Sequence, residues 1–183
     1  MKKITKYNKI ISANWKMNGS LDLVGKYKRY LYKKKNFINH EKSLIICPPY
    51  PYLPLLTEIC KNYNNVFTGA QNCSSELNNS RTGDINASMI KNVGSRFIIL
   101  GHSERRNIYN ETNEIISKKI EIALKAKLIV IVCVGETIND KKNKKTKYVI
   151  KNQLKKSLIN LCNQENTIIA YEPVWAIGSG IVP

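Results

Sequence analysis

Long apolar runs, acidic residues and histidines are all scarce in this 183-residue sequence, which has 13 Asp and Glu, 30 Lys and Arg, and two His. No run approaches the roughly 18 apolar residues of a membrane-spanning helix. The charged N-terminus, MKKITKYNK, lacks the apolar core of a secretory signal. We therefore expect a soluble, cytoplasmic protein with no membrane partner. A hydrophobic content of 43% is typical of a globular chain with a sizeable core.

Cysteines are few and far apart. The five cysteines lie at positions 47, 60, 73, 133 and 162, and no two form a C-x-x-C pair. An odd number at wide spacing indicates free buried thiols in a reducing compartment, rather than disulfides or a zinc site.

The formal net charge is +17, and it has two interpretations. One is a surface for nucleic acid or another anion. The other is a lysine-rich composition whose side chains lie on solvated helix faces. The lysines are spread over several segments, and no RNA-binding signature or recognition-helix pattern accompanies them. We favour the second interpretation and expect no nucleic-acid partner, although a basic surface would still attract an anionic substrate.

Short apolar segments alternate with longer helical patterns along the whole chain. Six segments read as strands: residues 9–16, 43–49, 66–72, 97–103, 129–136 and 167–173. Most are rich in Ile and Val with nearly continuous apolar character, which is typical of parallel strands buried on both faces.

Helical stripes separate the strands. Leu21, Val24, Tyr27 and Leu31 recur on one helix face, and similar stripes precede the fifth and sixth strands. Shorter helices are expected over 52–61 and 86–93. The pattern predicts a single domain, residues 1–183, in which a β-α unit occurs five times before a sixth strand. Such alternation fits either a doubly wound sheet or a (β/α)8 barrel, and the spacing alone does not choose.

Polar residues cluster where the predicted strands end, which is where parallel barrels carry their catalytic groups. The first strand ends in ANWKMNG (13–19), the fourth in GHSERR (101–106), the fifth in CVGE (133–136), and the sixth in YEPVW (171–175), followed by AIGSG (176–180).

Each of these groups has an ordinary structural explanation. A lysine at a strand end often only reaches water, a lone histidine is usually structural, and a Gly-Ser-Gly turn is a weak phosphate signal. The conjunction of Lys16, His102 and Glu172 on one rim is more informative. A carboxylate can remove a carbon-bound proton, a neutral imidazole can polarise the adjacent carbonyl, and a lysine can stabilise the developing negative charge.

These segments closely resemble the triosephosphate isomerase family, with 13–19, 69–72, 81–84, 101–106, 133–137 and 171–180 in the family's order and spacing. The resemblance implies a TIM barrel of the (β/α)8 type. It also implies an isomerase that interconverts dihydroxyacetone phosphate and glyceraldehyde 3-phosphate through an enediolate in glycolysis and gluconeogenesis. The family needs no metal and no cofactor.

By position, the resemblance makes Glu172 the catalytic base and His102 the neutral electrophile, at the start of a helix whose dipole disfavours a charged ring. It makes Asn14 and Lys16 the substrate-contacting pair. Ser103 and Glu104 would support the site from beside His102.

The resemblance also implies a lid and a dimer. Gly178 would offer its backbone N–H to the substrate phosphate, and the other lid residues would be Pro173, Val174, Trp175, Ala176, Ile177, Ser179 and Gly180. A homodimer is implied for the complete enzyme, with Thr82 at the tip of an inserted loop (73–86) and Met17 in the receiving surface.

The C-terminus is the main departure from the family pattern. Pro183 would lie at the second hinge of the lid, so that the chain holds six strands and five helices and the last part of the barrel is missing. Smaller departures are Asp84 in place of a glutamate and the absence of a lysine after Gly180. The alternative interpretation is a catalytically inactive fragment or binding module of the same family.

Overall fold

The computed structural model of the chain describes residues 4–34, 42–76 and 80–177. It contains one sheet of six parallel strands. Their bounds are β1 Lys9–Asn14, β2 Lys42–Cys47, β3 Val66–Ala70, β4 Phe97–Leu100, β5 Ile129–Val134 and β6 Thr167–Tyr171. All six predicted strands are therefore present, each ending a few residues earlier than its apolar pattern suggested.

The strand order distinguishes between the two architectures that the sequence left open. The strands follow one another as β1-β2-β3-β4-β5-β6, and every neighbouring pair is parallel. A doubly wound sheet reverses its direction of growth at a switch point, whereas a barrel adds each strand beside the last. The sheet is thus part of a parallel barrel, and all strand ends of one polarity lie on one rim.

Each of the five connections carries a helix, as predicted, and two connections carry a pair. The helices are α1 Leu21–Lys33, α2 Leu53–Cys60, α3 Ala87–Asn92, α4 Ser103–Ile108, α5 Asn113–Lys125, α6 Ile138–Lys142 and α7 Thr146–Ser157. The short α4 and α6 immediately follow β4 and β5, so the rim is bordered by helix starts. None of the helices in the described ranges is long and apolar enough to cross a membrane.

The core has an inner and an outer layer, because successive strand residues point to opposite faces. The inner layer includes Cys47, Phe97, Ile99 and Ile131, closed by Ile4 of the N-terminal 3₁₀ turn. The outer layer packs the other faces of the strands against the helices. All five cysteines are free thiols, and four of them are buried. The central strands β4 and β5 are buried on both faces.

The outer two strands depart from the prediction that strands are buried on both faces. Residues of β1 are exposed over most of their length, and β6 is only partly covered. Ile11 on β1 is 58% exposed and Tyr171 on β6 is 53% exposed. The physical reason is position: β1 and β6 are the edges of the sheet, and each has a strand neighbour on one side only.

Arg105, Glu111 and Lys119 form a buried ion cluster beside the rim, which the sequence did not predict. Glu111 Oε1 lies 2.5 Å from Arg105 Nε and 2.6 Å from Lys119 Nζ. The side chains of Glu111 and Lys119 are only 6% and 5% exposed. Lys119 also donates to Asn72 Oδ1 at 2.9 Å. The cluster therefore ties α4 and α5 to the end of β3.

Removing the Glu111 carboxylate should be strongly destabilising. The Glu111→Gln variant leaves Lys119 buried without its counter-charge, a change that costs about 3–5 kcal/mol in comparable buried pairs. We expect a loss of this size in the free energy of unfolding measured by urea denaturation.

The matched control is Glu121→Gln. Glu121 pairs with Lys125 on the exposed face of the same helix at 2.6 Å, and both side chains are about half exposed. Such a pair contributes only about 0–1 kcal/mol. Equal losses for the two variants would contradict the stabilising role of the buried cluster.

Candidate active site

The end of β1 holds a lysine in a strained backbone conformation. Lys16 has a φ of +52°, in the left-handed region that non-glycine residues rarely adopt. Two side chains hold this conformation. Asn14 Oδ1 accepts a hydrogen bond from the Lys16 N–H at 2.9 Å, and Gln71 Nε2 donates to the Lys16 carbonyl at 2.8 Å. Strain that is held in this way is common at functional sites.

The same geometry directs the Lys16 ammonium across the rim toward the end of β4. Lys16 Nζ lies 2.6 Å from Glu104 Oε1, and both side chains are about 40% exposed. The pair connects the first and fourth strand ends over the mouth of the inner layer. A cation in this place can bind an anionic substrate group while the carboxylate keeps it oriented.

His102 is the N-cap of α4, which starts directly after β4. Its Nδ1 accepts a hydrogen bond from the Glu104 backbone N–H at 3.2 Å, and the residue is 7% exposed. A ring nitrogen that accepts a hydrogen bond carries no proton, so this contact fits the neutral ring with its proton on Nε2. The start of a helix also disfavours a positive charge. The role of His102 as a neutral electrophile stays a prediction.

Glu172 follows β6 and faces His102 across the rim. Its Oε1 lies 3.7 Å from His102 Nε2 and 3.3 Å from Cys133 Sγ. Burial, followed by the nearby Glu172 charge, raises the Cys133 pKa, so the thiol stays protonated and donates to the carboxylate. Glu172 Oε2 is buried and has no partner among the described residues. The carboxylate therefore keeps one oxygen available for a proton.

The structure brings four of the predicted site residues into one cluster: Lys16, Glu104, His102 and Glu172. Asn14 supports this cluster through the Lys16 backbone, and Ser103 is buried as the first residue of α4. Met17 is 97% exposed and Thr82 is also exposed. Their assignment to a dimer interface stays a prediction.

The first part of the predicted lid lies against the loop after β5. After Pro173, residues Val174–Ala176 form a 3₁₀ turn, and Ile177 follows. Trp175 Nε1 donates to Glu136 Oε1 at 3.0 Å, and Lys141 Nζ lies 3.2 Å from the centre of the Trp175 ring. The predicted lid residues Gly178, Ser179 and Gly180 lie outside the described residues.

Sequence reasoning missed the supporting roles of Gln71, Cys133 and Glu136. Glu136 accepts from Tyr171 Oη at 3.1 Å as well as from Trp175. Its place in the CVGE end of β5 was a usable signal, because an acid at a strand end lies on the rim. Gln71 had no such signal, since its partners are backbone carbonyls from distant segments.

The contact between Glu136 and Trp175 should depend on pH. Burial alone raises the Glu136 pKa, but hydrogen bonds from Trp175 and Tyr171 lower it below the ordinary value of 4.5. Because the pKa of Glu136 is lowered in the folded protein, the contact is intact above the ordinary value of 4.5. It is lost as the pH falls through the lowered pKa of the folded protein. We expect the fluorescence of Trp175 to change only below pH 4.5. This signal is obtained by subtracting the fluorescence of the Trp175→Phe variant from that of the parent protein at each pH.

Glu136→Gln is the control, because its side chain does not titrate and the acid transition should disappear. A transition that persists in this variant would assign the change to another group.

Comparison with known proteins matches this arrangement to one family. The family model described as triosephosphate isomerase matches residues 9–183. The triosephosphate isomerase of Buchnera aphidicola subsp. Schizaphis graminum is 39% identical over 178 residues, which cover 94% of this chain and 68% of that protein. The enzyme of the Wolbachia of Brugia malayi is 44% identical over 174 residues, covering 95% of this chain and 70% of that one.

A solved structure agrees with the sequence matches. The crystal structure of triosephosphate isomerase from Bartonella henselae superposes with a TM-score of 0.84 at 38% identity, over 91% of this chain and 68% of that chain. The chain thus spans about two thirds of the length of these relatives, which confirms the predicted incomplete barrel. From the fold, the rim residues and these matches together, we conclude that the chain belongs to the triosephosphate isomerase family, an isomerase family with the TIM barrel fold.

Proposed function

We propose that this protein interconverts dihydroxyacetone phosphate and glyceraldehyde 3-phosphate by proton transfer through an enediolate, as a step of glycolysis and gluconeogenesis. The observation that carries the proposal is the pairing of a neutral His102, whose Nε2–H faces the rim, with the partly unpaired carboxylate of Glu172. The two groups have complementary tasks, since one donates a proton to oxygen and the other accepts a proton from carbon.

In the first step, Glu172 removes a proton from the hydroxymethyl carbon C1 of dihydroxyacetone phosphate. The electron pair of the broken C–H bond forms the C1–C2 double bond, and the carbonyl electrons move to the oxygen on C2. The Nε2–H of His102 hydrogen-bonds this oxygen as its charge develops. A donor held in place before the reaction avoids the cost of reorganising water around the new charge.

In the second step, the proton returns to the neighbouring carbon. The enediolate oxygens exchange one proton through His102 Nε2, so that the carbonyl forms at C1. Protonated Glu172 then delivers its proton to C2 and recovers its charge. The sum is an isomerisation with no net gain or loss of protons or electrons, so the step needs no co-reactant.

Lys16 supplies the positive charge for the phosphate and for the enediolate oxygen. Its position at the strand end is supported by Asn14, Gln71 and Glu104. Gly178 would complete the phosphate site with its backbone N–H as the lid residues from Pro173 to Gly180 close. The excess of 30 basic over 13 acidic residues favours the approach of a dianionic substrate.

We further propose a cytoplasmic homodimer. Met17 is 97% exposed directly beside Lys16, so a partner subunit could bury it next to the site. The loop around Thr82 is the proposed insertion into the other subunit, because residues 80–84 are exposed and lie in the connection that follows β3.

Shortening the base should lower turnover with little effect on substrate binding. Glu172→Asp withdraws the carboxylate by one methylene, and a displacement of about 1 Å can cost about 100-fold in rate. Glu172→Gln keeps the shape without the base and should lose about 100- to 10,000-fold. The measurement is kcat and KM of the full-length protein in a coupled isomerase assay.

Glu165→Asp is the control, as an exposed glutamate in the turn before β6. It should leave both constants unchanged. An inactive parent protein, or an unaltered rate in Glu172→Asp, would contradict the proposed function and favour the alternative of an inactive member of the family.

A further inference from the structure

The ends of β4 and β5 are linked at the rim by Arg106, a side chain that takes no part in the proposed reaction. The two strands are paired up to Leu100 and Val132. Beyond that pair they diverge, because β4 turns into α4 while β5 continues beside β6 to Val134. Their next carbonyls, those of Gly101 and Cys133, need donors from elsewhere.

Arg106 supplies these donors from α4. Its Nε donates to the Gly101 carbonyl at 2.7 Å and its Nη2 to the Cys133 carbonyl at 3.1 Å. Its Nη1 donates to Asn113 Oδ1 at 2.8 Å, which anchors the guanidinium to the first residue of α5. One rigid planar group thus links the ends of two strands and the start of a helix. A lysine ammonium has no comparable fixed fork.

Both bridged carbonyls lie next to the reacting pair. Gly101 immediately precedes His102, and the Cys133 side chain donates to Glu172 Oε1 at 3.3 Å. A change in the distance between the two carbonyls would therefore change the 3.7 Å separation of His102 Nε2 and Glu172 Oε1. We propose that Arg106 is a positioning residue for the isomerisation, an inference that rests on the proposed function. By holding the ends of β4 and β5 together, Arg106 sets the distance between His102 and Glu172.

The backbone at Gly101 is adapted to this clamp. Gly101 has a φ of +72°, and a Cβ at this position would lie 2.9 Å from Arg106 Nη2. Any side chain would therefore push the guanidinium away from the strand ends. Burial lowers the Arg106 pKa, which marks a real cost for placing a cation there. The three hydrogen bonds and the nearby negative charges of Glu111 and Glu172 offset this cost.

The central test asks whether Arg106 acts through the position of its guanidinium, through its positive charge or only through the stability of the protein. Arg106→Lys keeps the charge but loses the fork, and we expect kcat to fall about 10- to 100-fold while KM stays within about threefold, because misplacement affects the transition state more than ground-state binding. The kcat of Arg106→Met should fall by at least the same factor. The assay uses the full-length protein.

Arg105→Met is the matched control on the same helix. It breaks the ion pair with Glu111 and the contact with the Tyr109 ring, so it should lower the melting temperature without lowering kcat. The proposal is overturned if Arg106→Lys loses no more kcat than Arg105→Met at a similar loss of melting temperature. It is also overturned if Arg106→Lys retains the parent kcat while Arg106→Met does not, since charge alone would then suffice.

A double-mutant cycle provides a second, independent test. Gly101→Ala should lower kcat in the same direction as Arg106→Lys, and the double variant should lose less kcat than the two single losses combined, because both changes disturb the Arg106 contact. Additive losses would overturn the clamp. If Gly101→Ala does not fold, the Arg106→Lys comparison still decides.

An NMR measurement that does not depend on enzyme activity distinguishes failure of this inference from failure of the proposed function. The imidazole ¹⁵N resonances of His102 report its Nδ1 hydrogen bond, and Arg106→Lys should shift them whereas Arg105→Met should not. An inactive parent protein would refute the proposed function alone. Unshifted His102 resonances in Arg106→Lys would refute the positioning role whether or not the protein is active.

Discussion

The hydrogen bond from the Glu104 backbone N–H to His102 Nδ1 is the contact on which the chemistry of the rim depends. It exists because β4 ends in a tight turn at Gly101 and α4 begins at the very next position after His102. The bond fits the neutral imidazole with its proton on Nε2, and that nitrogen lies 3.7 Å from Glu172 Oε1. An imidazolium ring could not accept this bond and would place a positive charge against the helix start.

The charges around this neutral ring are balanced by pairing. Lys16 is held against Glu104, and Glu104 therefore serves the site twice, through its backbone on His102 and through its carboxylate on the lysine. The strained Lys16 backbone is stabilised by Asn14 and Gln71, which come from β1 and from the end of β3. A substrate that binds Lys16 thus meets a cation that is already oriented by three separate segments.

Sequence reasoning located the six strands and the residues that occupy the rim, because buried parallel strands have an apolar pattern and functional residues follow them directly. It did not locate the groups that hold those residues in place. Lys119 illustrates the reason: a lysine on a helical stripe is normally solvated, and only the fold shows that Glu111 comes close enough to bury it. Gln71 was missed likewise, because its partners are backbone carbonyls, and two of the three partners of Arg106 are backbone carbonyls as well. Such partners leave no trace in a pattern of side chains. The exposure of β1 and β6 also depends on which strands become edges.

The position of Glu172 follows from the difference between central and edge strands. Glu172 ends an edge strand with partly exposed neighbours, yet its contacts are to β5, the fully buried strand beside it. Its N–H donates to the Val134 carbonyl at 2.8 Å, Cys133 donates to its carboxylate, and a side chain at Gly135 would collide with its carbonyl. The Val174 N–H continues this attachment to the Glu136 carbonyl at 3.2 Å. The Glu172 carboxylate is therefore anchored to the buried centre of the sheet. Arg106 links the end of that same central strand to the end of β4. His102 and Glu172 are thereby held relative to each other, although they follow β4 and β6, which are not neighbours in the sheet.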